Sequence, residues 1–177
     1  LRPAARTEAQ FPEELFSVAA ASALVAEVGE PQPIYGLNPT TPWPLASLTK
    51  LMSVLIARDF FMPETVIGIT EETVPPQSSS GGLFTAGERF SADALARVAL
   101  GISSNDAVDA LARAAGYSRF LERMRERAAS IGMRHTSFFD PTGLSSLNFS
   151  TAQDLRLLAE HILAEAPELF SVTREPS

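Results

Sequence analysis

The sequence predicts a single α/β domain in which a short pair of strands precedes a group of helices. Its 177 residues fit one domain that is large enough to bury a core, since domains average about 150 residues. With 45% hydrophobic and 20% charged residues, the composition is that of a folded globular protein. A strand–turn–strand pattern comes first, a helix that is apolar almost all round follows it, and further helical stretches complete the chain.

The N-terminal part of the domain is predicted to be a hairpin. Residues 1–15 are polar and contain two prolines, so we expect a linker there and the domain over 16–177. The apolar run Phe16–Val28 is compatible with either a strand or a helix. Ile34–Leu37, followed by the turn-like Asn38 and a proline, favours the arrangement of strand, turn and second strand.

The rest of the chain is predicted to be mainly helical. The apolar helix begins near Ser47 and ends before Pro63, with apolar residues at intervals of three and four. Later helices are expected from the capping residues and from periodicity. Their predicted starts are Ser91, Ser104 or Asn105, Tyr117 and Thr151, and Gly101, Gly116 and Gly132 are predicted to end helices in the left-handed conformation. Between helices we expect a short strand within 64–74, a loop over 75–82 and irregular structure over 135–148.

Charge and composition exclude several classes of function. The chain has 14 basic and 21 acidic residues, a net charge of −7, which argues against nucleic acid as a partner because phosphate binding needs clustered Lys and Arg. It has no cysteine, which excludes disulfides, thiolate metal sites and a cysteine nucleophile. No apolar run reaches the roughly 18 residues of a membrane-spanning helix.

A serine and the only lysine of the chain lie three residues apart at the start of the apolar helix. Ser47 and Lys50 therefore lie on one face of that helix, one turn apart. A serine hydroxyl becomes a good nucleophile when a base takes its proton, and a lysine can be that base when burial lowers its pKa. The backbone N–H of Ser47, near the helix N-terminus, could also help to hold an oxyanion. The structural alternative is a core helix whose lysine extends to solvent.

A second polar group follows 56 residues after Ser47. Ser103, Ser104 and Asn105 fall in the break between two predicted helices. A hydroxyl and an amide in such a loop can relay a proton and orient a substrate amide. The alternative interpretation is a helix cap, because serine and asparagine are preferred at that position.

Taken together, these two groups resemble the Ser-x-x-Lys and Ser-x-Asn motifs of serine acyl-transferases. The chain is similar to the D-alanyl-D-alanine carboxypeptidases of the peptidase S11 family, which belong to the low-molecular-mass penicillin-binding proteins. The resemblance runs from about residue 17 to residue 170. The stretches that carry it are Pro44–Met52, Gly87–Ser91, Ser103–Ala107, Gly132–Met133 with Phe138, Pro141–Leu144 and Ser150–Leu155.

The resemblance implies a fold and a set of site residues. The fold would be the α/β serine β-lactamase and DD-peptidase fold, represented by its helical part and its N-terminal strands. Ser47 would be the acylated nucleophile and Lys50 its general base. Ser103 would pass a proton toward the leaving D-alanine, and Asn105 would hold Lys50 and the substrate amide.

The same resemblance implies substrate-binding positions and partners. Ser104 and Gly143 would bind substrate, and no metal or other cofactor is implied. The substrate would be a peptidoglycan stem peptide ending in D-Ala-D-Ala, with β-lactams as inhibitors. The chain opens with Leu1, and we expect an exported protein on the outer face of a bacterial inner membrane, attached only through a segment absent from this sequence.

One departure from the family pattern leaves alternatives open. The third motif, Lys-Thr-Gly, has no counterpart because Lys50 is the only lysine. We therefore expect a chain truncated before that motif, with impaired activity. The alternatives are a non-catalytic module that binds peptidoglycan or another partner, and a class A β-lactamase, in which an aspartate would replace Ser104. A Lys-Thr-Gly triplet further along the gene would exclude the non-catalytic module. Slow hydrolysis of the penicillin adduct would exclude the β-lactamase.

Overall fold

The computed structural model describes residues 19–74 and 83–172 of the chain. The predicted linker over 1–15 and the predicted loop over 75–82 lie outside these residues. From the N-terminus onward, the elements are β1 (Ala23–Val25), β2 (Tyr35–Leu37), β3 (Trp43–Pro44), a 3₁₀ turn (Ala46–Leu48), α1 (Thr49–Phe60), β4 (Val66–Gly68), β5 (Arg89–Ser91), α2 (Ala92–Gly101), α3 (Asn105–Ala114), α4 (Tyr117–Ser130), β6 (Phe149–Ser150), α5 (Ala152–Glu165) and α6 (Glu168–Ser171).

Helix α1 is the centre of the helical core, as its apolar sequence predicts. Met52 and Ile56 lie on one face of this helix and Val54 on the opposite face, and all three are fully buried. They are covered on every side because α2, α3 and α4 all pack against α1. A helix enclosed in this way needs apolar side chains around its whole circumference, which explains the near absence of a polar face.

The strands of the described residues are short and form three two-stranded antiparallel sheets. The predicted N-terminal hairpin is confirmed as β1 and β2, with Ala23 opposite Leu37. The predicted strand within 64–74 is confirmed as β4, which pairs with β5. The sequence did not predict the third pair, β3 with β6, which joins segments more than a hundred residues apart. This pair brings the irregular stretch before β6 next to the start of α1.

Three of the predicted helix starts are confirmed by hydrogen bonds to the backbone, and α4 begins at Tyr117 as predicted but without a side-chain cap. Ser91 and Thr151 are N-caps of α2 and α5, and each side chain accepts a bond from the backbone N–H three residues on. Of the two candidates for α3, Ser104 is the cap, and its hydroxyl accepts from Ala107 N–H at 3.2 Å. Asn105 is the first residue of the helix, which leaves its side chain free of the capping role.

The prediction for the glycines is right at two helix ends and wrong at one. Gly116 and Gly132 have φ of 86° and 87°, as expected of residues that follow a helix in the left-handed conformation. Gly101 is the last residue of α2 and has no positive φ. The left-handed conformation falls instead on Ser103, at φ 61°. The chain therefore turns two residues later than predicted, at the first residue of the Ser-x-Asn motif.

Candidate active site

The nucleophile and base candidates lie side by side where the 3₁₀ turn meets α1. Lys50 Nζ is 3.0 Å from Ser47 Oγ. The Ser47 residue is exposed, whereas Lys50 is 2% exposed and belongs to the buried face of α1. A separation of three residues across this junction thus places an accessible hydroxyl against an enclosed amine. This is the relation that general-base activation of a serine requires.

Lys50 has a second partner from a distant part of the chain. Its Nζ donates to the carbonyl oxygen of Thr142 at 2.9 Å, across 92 residues of sequence. Burial lowers the pKa of the Lys50 amine below its ordinary value, and the negative charge of Asp140 partly opposes this effect. A lowered pKa increases the neutral fraction of the amine, and only the neutral amine can accept the Ser47 proton.

Thr142 belongs to a loop that is organised around one carboxylate. Asp140 accepts hydrogen bonds from the Thr142 N–H, the Thr142 hydroxyl, the Gly143 N–H and the Ser145 N–H, each at 2.7 Å. Burial alone would raise the pKa of Asp140, but these bonds outweigh it, so the pKa lies below its ordinary value. The loop therefore has an ionised residue at its centre that fixes where the Thr142 carbonyl points.

A fully buried asparagine joins this loop to the start of α1. The Asn148 amide donates to Thr49 Oγ1 at 3.1 Å and to the Asp140 carbonyl at 2.8 Å. Its side-chain oxygen accepts from the N–H groups of Phe139 and Asp140 at 2.8 and 3.1 Å. Its backbone carbonyl accepts from Leu45 N–H at 2.9 Å. One residue thus connects both sides of the Lys50 environment.

Gly143 lies directly against the turn that carries the nucleophile. A Cβ at this position would stand 1.9 Å from the Ala46 carbonyl oxygen, and the glycine has φ 87°. Only glycine fits such a contact without a shift of the backbone. Its backbone is thus packed on Ala46, the residue before Ser47, and the predicted role of Gly143 in substrate binding stays a prediction.

The structure brings only one residue of the second motif next to Ser47. Ser103 lines the same cavity as Ser47 and Lys50. Asn105 lines a neighbouring pocket together with Asp140. Within the described residues, the hydrogen bonds of Lys50 go to Ser47 and the Thr142 carbonyl, so the contact expected between Asn105 and Lys50 is not formed. Ser104 serves as the helix cap, and its predicted contact with substrate stays a prediction.

Backbone strain is concentrated at this site. Three non-glycine residues of the described chain have positive φ, and two of them, Ala46 and Ser103, border the cavity at φ 45° and 61°. Such conformations cost of order 1–3 kcal/mol each and persist only where the surroundings impose them. Both residues thus border the cavity that Ser47, Lys50 and Ser103 line.

Sequence reasoning missed the residues that hold the Thr142 carbonyl in place. Asp140 carries a local signal, because an aspartate followed by Pro-Thr-Gly is a typical turn sequence in which the carboxylate caps the following N–H groups. Asn148 and Thr49 carry none, since their partners are distant in sequence. Their importance is visible only once the loop is packed on α1.

Comparison with known proteins identifies the family. The family model described as D-alanyl-D-alanine carboxypeptidase, peptidase S11, matches residues 6–177. The chain belongs to this family. It is 32% identical over 160 residues to a D-alanyl-D-alanine endopeptidase of Escherichia coli, covering 89% of the chain and 50% of that protein. It is 38% identical over 123 residues to a D-alanyl-D-alanine endopeptidase of Haemophilus influenzae, covering 68% of the chain and 42% of that protein.

Solved structures confirm the predicted fold. The D-alanyl-D-alanine carboxypeptidase DacD of Francisella tularensis superposes with a TM-score of 0.80 at 29% identity, over 90% of this chain and 40% of that one. Penicillin-binding protein D2 of Listeria monocytogenes, in its ampicillin-bound form, gives 0.78 at 26% identity, over 89% and 67%. These are penicillin-binding DD-peptidases with the serine β-lactamase-like fold. The chain spans about half the length of the curated relatives it matches.

Neither a metal centre nor a membrane span is found in the part of the chain that the structure describes. Within residues 19–74 and 83–172, no group of three or more His, Cys, Asp or Glu side chains is arranged to hold a metal ion. None of the helices in these two ranges has the length and apolarity needed to cross a bilayer.

Proposed function

We propose that this chain carries the acylation centre of a serine D-alanyl-D-alanine peptidase, with Ser47 as nucleophile and Lys50 as general base. The observation that carries the proposal is the 3.0 Å contact between an exposed serine hydroxyl and a lysine amine that is 2% exposed. Burial lowers the pKa of Lys50, so its neutral form can take the hydroxyl proton as Ser47 attacks the peptide carbonyl.

The remaining steps follow from the positions of the neighbouring groups. The carbonyl carbon of the substrate bonds to Ser47 Oγ, and the bond to the leaving D-alanine amine then breaks. Ser103 lines the same cavity and relays to that amine the proton that Lys50 has taken from Ser47. The Ser47 N–H, at the start of α1, stabilises the oxyanion. Asn105, on the neighbouring pocket, orients the peptide amide, and water releases the acyl group from Ser47.

The leaving group distinguishes two reactions of one mechanism. A carboxypeptidase releases a terminal D-alanine from a stem peptide that ends in D-Ala-D-Ala, whereas an endopeptidase cuts a D-alanyl bond in a cross-linked peptide. We favour the carboxypeptidase from the family and keep the endopeptidase as a second candidate. The endopeptidase is kept as a candidate because three relatives with 32–38% identity are D-alanyl-D-alanine endopeptidases, while two carboxypeptidases reach 27%.

The composition of the chain sets the expected rate. Lys50 is the only lysine, so this sequence contains no Lys-Thr-Gly motif and no second lysine to bind the terminal carboxylate. If one oxyanion donor is missing, the acylation rate falls by about 10²–10³. We therefore expect Ser47 of this chain to be acylated slowly. β-Lactams acylate the same serine and are expected to be a more sensitive probe of this reaction than peptide substrates.

Substrate and location are proposed together. Peptidoglycan stem peptides are found outside the cytoplasmic membrane of bacteria, so we propose that the protein acts there. We expect no nucleic-acid partner, because a chain with a net charge of −7 offers few clustered Lys and Arg for phosphate.

The test is the intact mass of the chain after long incubation with excess benzylpenicillin, with Ser47→Ala as control. A stable adduct on the wild type alone supports the proposal. An adduct that forms and quickly disappears supports a β-lactamase-like hydrolase. No adduct on a chain shown to be folded contradicts the proposal and supports a non-catalytic module. Stem peptides ending in D-Ala-D-Ala and cross-linked peptide dimers, offered in parallel, then separate carboxypeptidase from endopeptidase.

A further inference from the structure

The region around Lys50 contains polar residues that the proposed mechanism does not use. Thr49, Ser53 and Asn148 are all fully buried there, and the one with the most side-chain hydrogen bonds is Asn148. Its side chain is fully buried, and all of its hydrogen-bonding capacity is used: two donors and two acceptor positions each have a partner. A buried amide with four bonds is costly to place unless every bond is kept. Packing alone therefore does not explain why Asn148 is buried at this place.

The partners of Asn148 stand one or two residues away from Lys50 and from its two hydrogen-bond partners. Thr49, which accepts from its amide, precedes Lys50 in α1. Asp140, whose carbonyl also accepts from the amide, lies two residues before Thr142, the acceptor of the Lys50 amine. The backbone carbonyl of Asn148 accepts from Leu45 N–H, two residues before Ser47.

We infer that Asn148 is a positioning residue for the Ser47–Lys50 pair: it fastens the Thr142 loop onto the start of α1 and so keeps the amine enclosed beside the hydroxyl. The inference rests on the proposed function of Ser47 and Lys50. Asn148 touches neither of them and acts through Thr49, Leu45 and the loop.

The amide side chain supplies the two donors and the acceptor oxygen that these four bonds require. An aspartate at position 148 could accept from the N–H groups of Phe139 and Asp140 but could not donate to Thr49 Oγ1 or to the Asp140 carbonyl. A serine would be too short to make all four bonds. In either case the loop loses the bond from the Asn148 amide to Thr49 Oγ1. Two other bonds to α1 remain, from Ser53 Oγ to the Pro141 carbonyl at 2.5 Å and from Lys50 Nζ to the Thr142 carbonyl. With one bond fewer the loop is held less closely to α1, and water gains access to Lys50.

The charged groups around Lys50 determine the direction of the effect. Among the described residues, Asp140 is the charged group that acts on the amine, and its net environment lowers the pKa. The Asp140 carboxylate is held by bonds from within its own loop, namely from Thr142, Gly143 and Ser145. It therefore moves together with Thr142. When the loop is held less closely to α1, the desolvation of the amine and the opposing effect of the Asp140 charge are both reduced. Burial is the larger of the two influences on the amine, so the pKa of Lys50 moves upward toward its ordinary value.

The single lysine makes this directly measurable without enzymatic activity. Because Lys50 is the only lysine, a chain labelled with ¹³C at lysine Cε gives one lysine signal. Its NMR titration reports the pKa of Lys50 in the wild type and in Asn148→Ser. Asp154→Asn is the matched control: Asp154 is 2% exposed and holds His135 and Thr136, away from Ser47 and Lys50.

The expected result is a higher titration midpoint in Asn148→Ser and an unchanged one in Asp154→Asn. Acylation by benzylpenicillin should slow by about 10–100-fold in the first variant, since misplacement by about 1 Å can cost a factor of that size. An equal or lower midpoint in folded Asn148→Ser overturns the inference. Failure of the proposed function gives a different result, namely no acylation of the wild type together with a shifted midpoint in the variant.

Because Asn148→Ser can fail to fold, a milder pair tests the same contact. Thr49→Val removes the acceptor of one Asn148 bond at similar volume, and Thr49→Ser keeps it. We expect the midpoint to rise in Thr49→Val and to return toward the wild-type value in Thr49→Ser. Equal midpoints in these two variants would likewise overturn the inference.

Discussion

Gly143→Ala is the substitution whose effect the structure specifies most closely. The new Cβ would stand 1.9 Å from the Ala46 carbonyl oxygen, 2.5 Å from its carbon and 2.9 Å from Thr49 Oγ1. Ordinary contacts begin at 3.4 Å, so the loop has to retreat from the turn by about 1.5 Å (3.4 − 1.9). Two of these contacts are with backbone, which cannot rotate away as a side chain can.

The retreat has a predictable consequence for the base. The Lys50–Thr142 hydrogen bond is 2.9 Å long, and a shift of that size along its direction stretches it to about 4.4 Å (2.9 + 1.5), beyond hydrogen-bond range. Water then reaches the amine, and the neutral form of Lys50 becomes rarer. We expect acylation of Ser47 by benzylpenicillin to slow by about 10²-fold or more.

Gly132→Ala is the matched control. Gly132 also has φ 87°, but a Cβ there meets only a Leu157 methyl group at 3.8 Å. Both variants incur the left-handed strain of about 1–2 kcal/mol. Only Gly143→Ala adds the cost of forcing atoms apart, about 1–3 kcal/mol.

Urea unfolding and the acylation rate, measured on both variants, test whether the close contact of Gly143 with Ala46 constrains the site. The free energy of unfolding should fall further in Gly143→Ala than in Gly132→Ala, and only the first should lose acylation. Equal losses of stability, together with acylation at the wild-type rate, would refute the close approach of Gly143 to Ala46 as a constraint on the site.

Three further predictions concern charge and capping. The pKa of Lys50 is lowered in the folded state and has its ordinary value of 10.5 in the unfolded state. Between these two values the unfolded state binds more protons than the folded state, so the free energy of unfolding of the wild type rises with pH. Lys50→Met should flatten this rise in unfolding curves recorded across pH. Asp140→Ala leaves four donors of its loop without their acceptor and should lower the free energy of unfolding by about 1–3 kcal/mol, and a loss no larger than that of an exposed aspartate would contradict the described loop. Ser104→Ala removes the α3 cap and should cost about 1 kcal/mol with little change in acylation, whereas a large loss of acylation at unchanged stability would assign Ser104 to substrate binding.

Local signals in the sequence are sufficient to predict most elements of the fold. The spacing of apolar residues predicted α1, and the caps Ser91 and Thr151 predicted the starts of α2 and α5, because helix periodicity and capping are decided within a few residues. The hairpin of β1 and β2 was predictable for the same reason. The pairing of β3 with β6 was not, since neither two-residue strand has a pattern that specifies a partner so far along the chain.

The same division applies to the site. The separation of Ser47 and Lys50 by three residues predicted their contact, which is now 3.0 Å. The second partner of Lys50 was not predictable, because a backbone carbonyl carries no sequence signal and Thr142 lies 92 residues away. The expected contact of Asn105 with Lys50 came from the family motif, and the structure puts the Thr142 carbonyl in contact with Lys50 instead.

The position of Ser47 and Lys50 at the junction of two kinds of helix explains how one turn of chain can satisfy opposite demands. A nucleophile has to be reached by substrate, whereas a lysine becomes a base at moderate pH only when it is withdrawn from water. The 3₁₀ turn keeps Ser47 at the surface, and α1 then takes Lys50 into the core within the next three residues. The Lys50 amine reaches back beyond the first residue of α1 to Ser47, and its other partner, the Thr142 carbonyl, comes from the distant loop. The Thr142 loop contributes to the burial that lowers the pKa of Lys50, so under the proposed mechanism the contacts that hold this loop to α1 also set how readily Lys50 acts as a base.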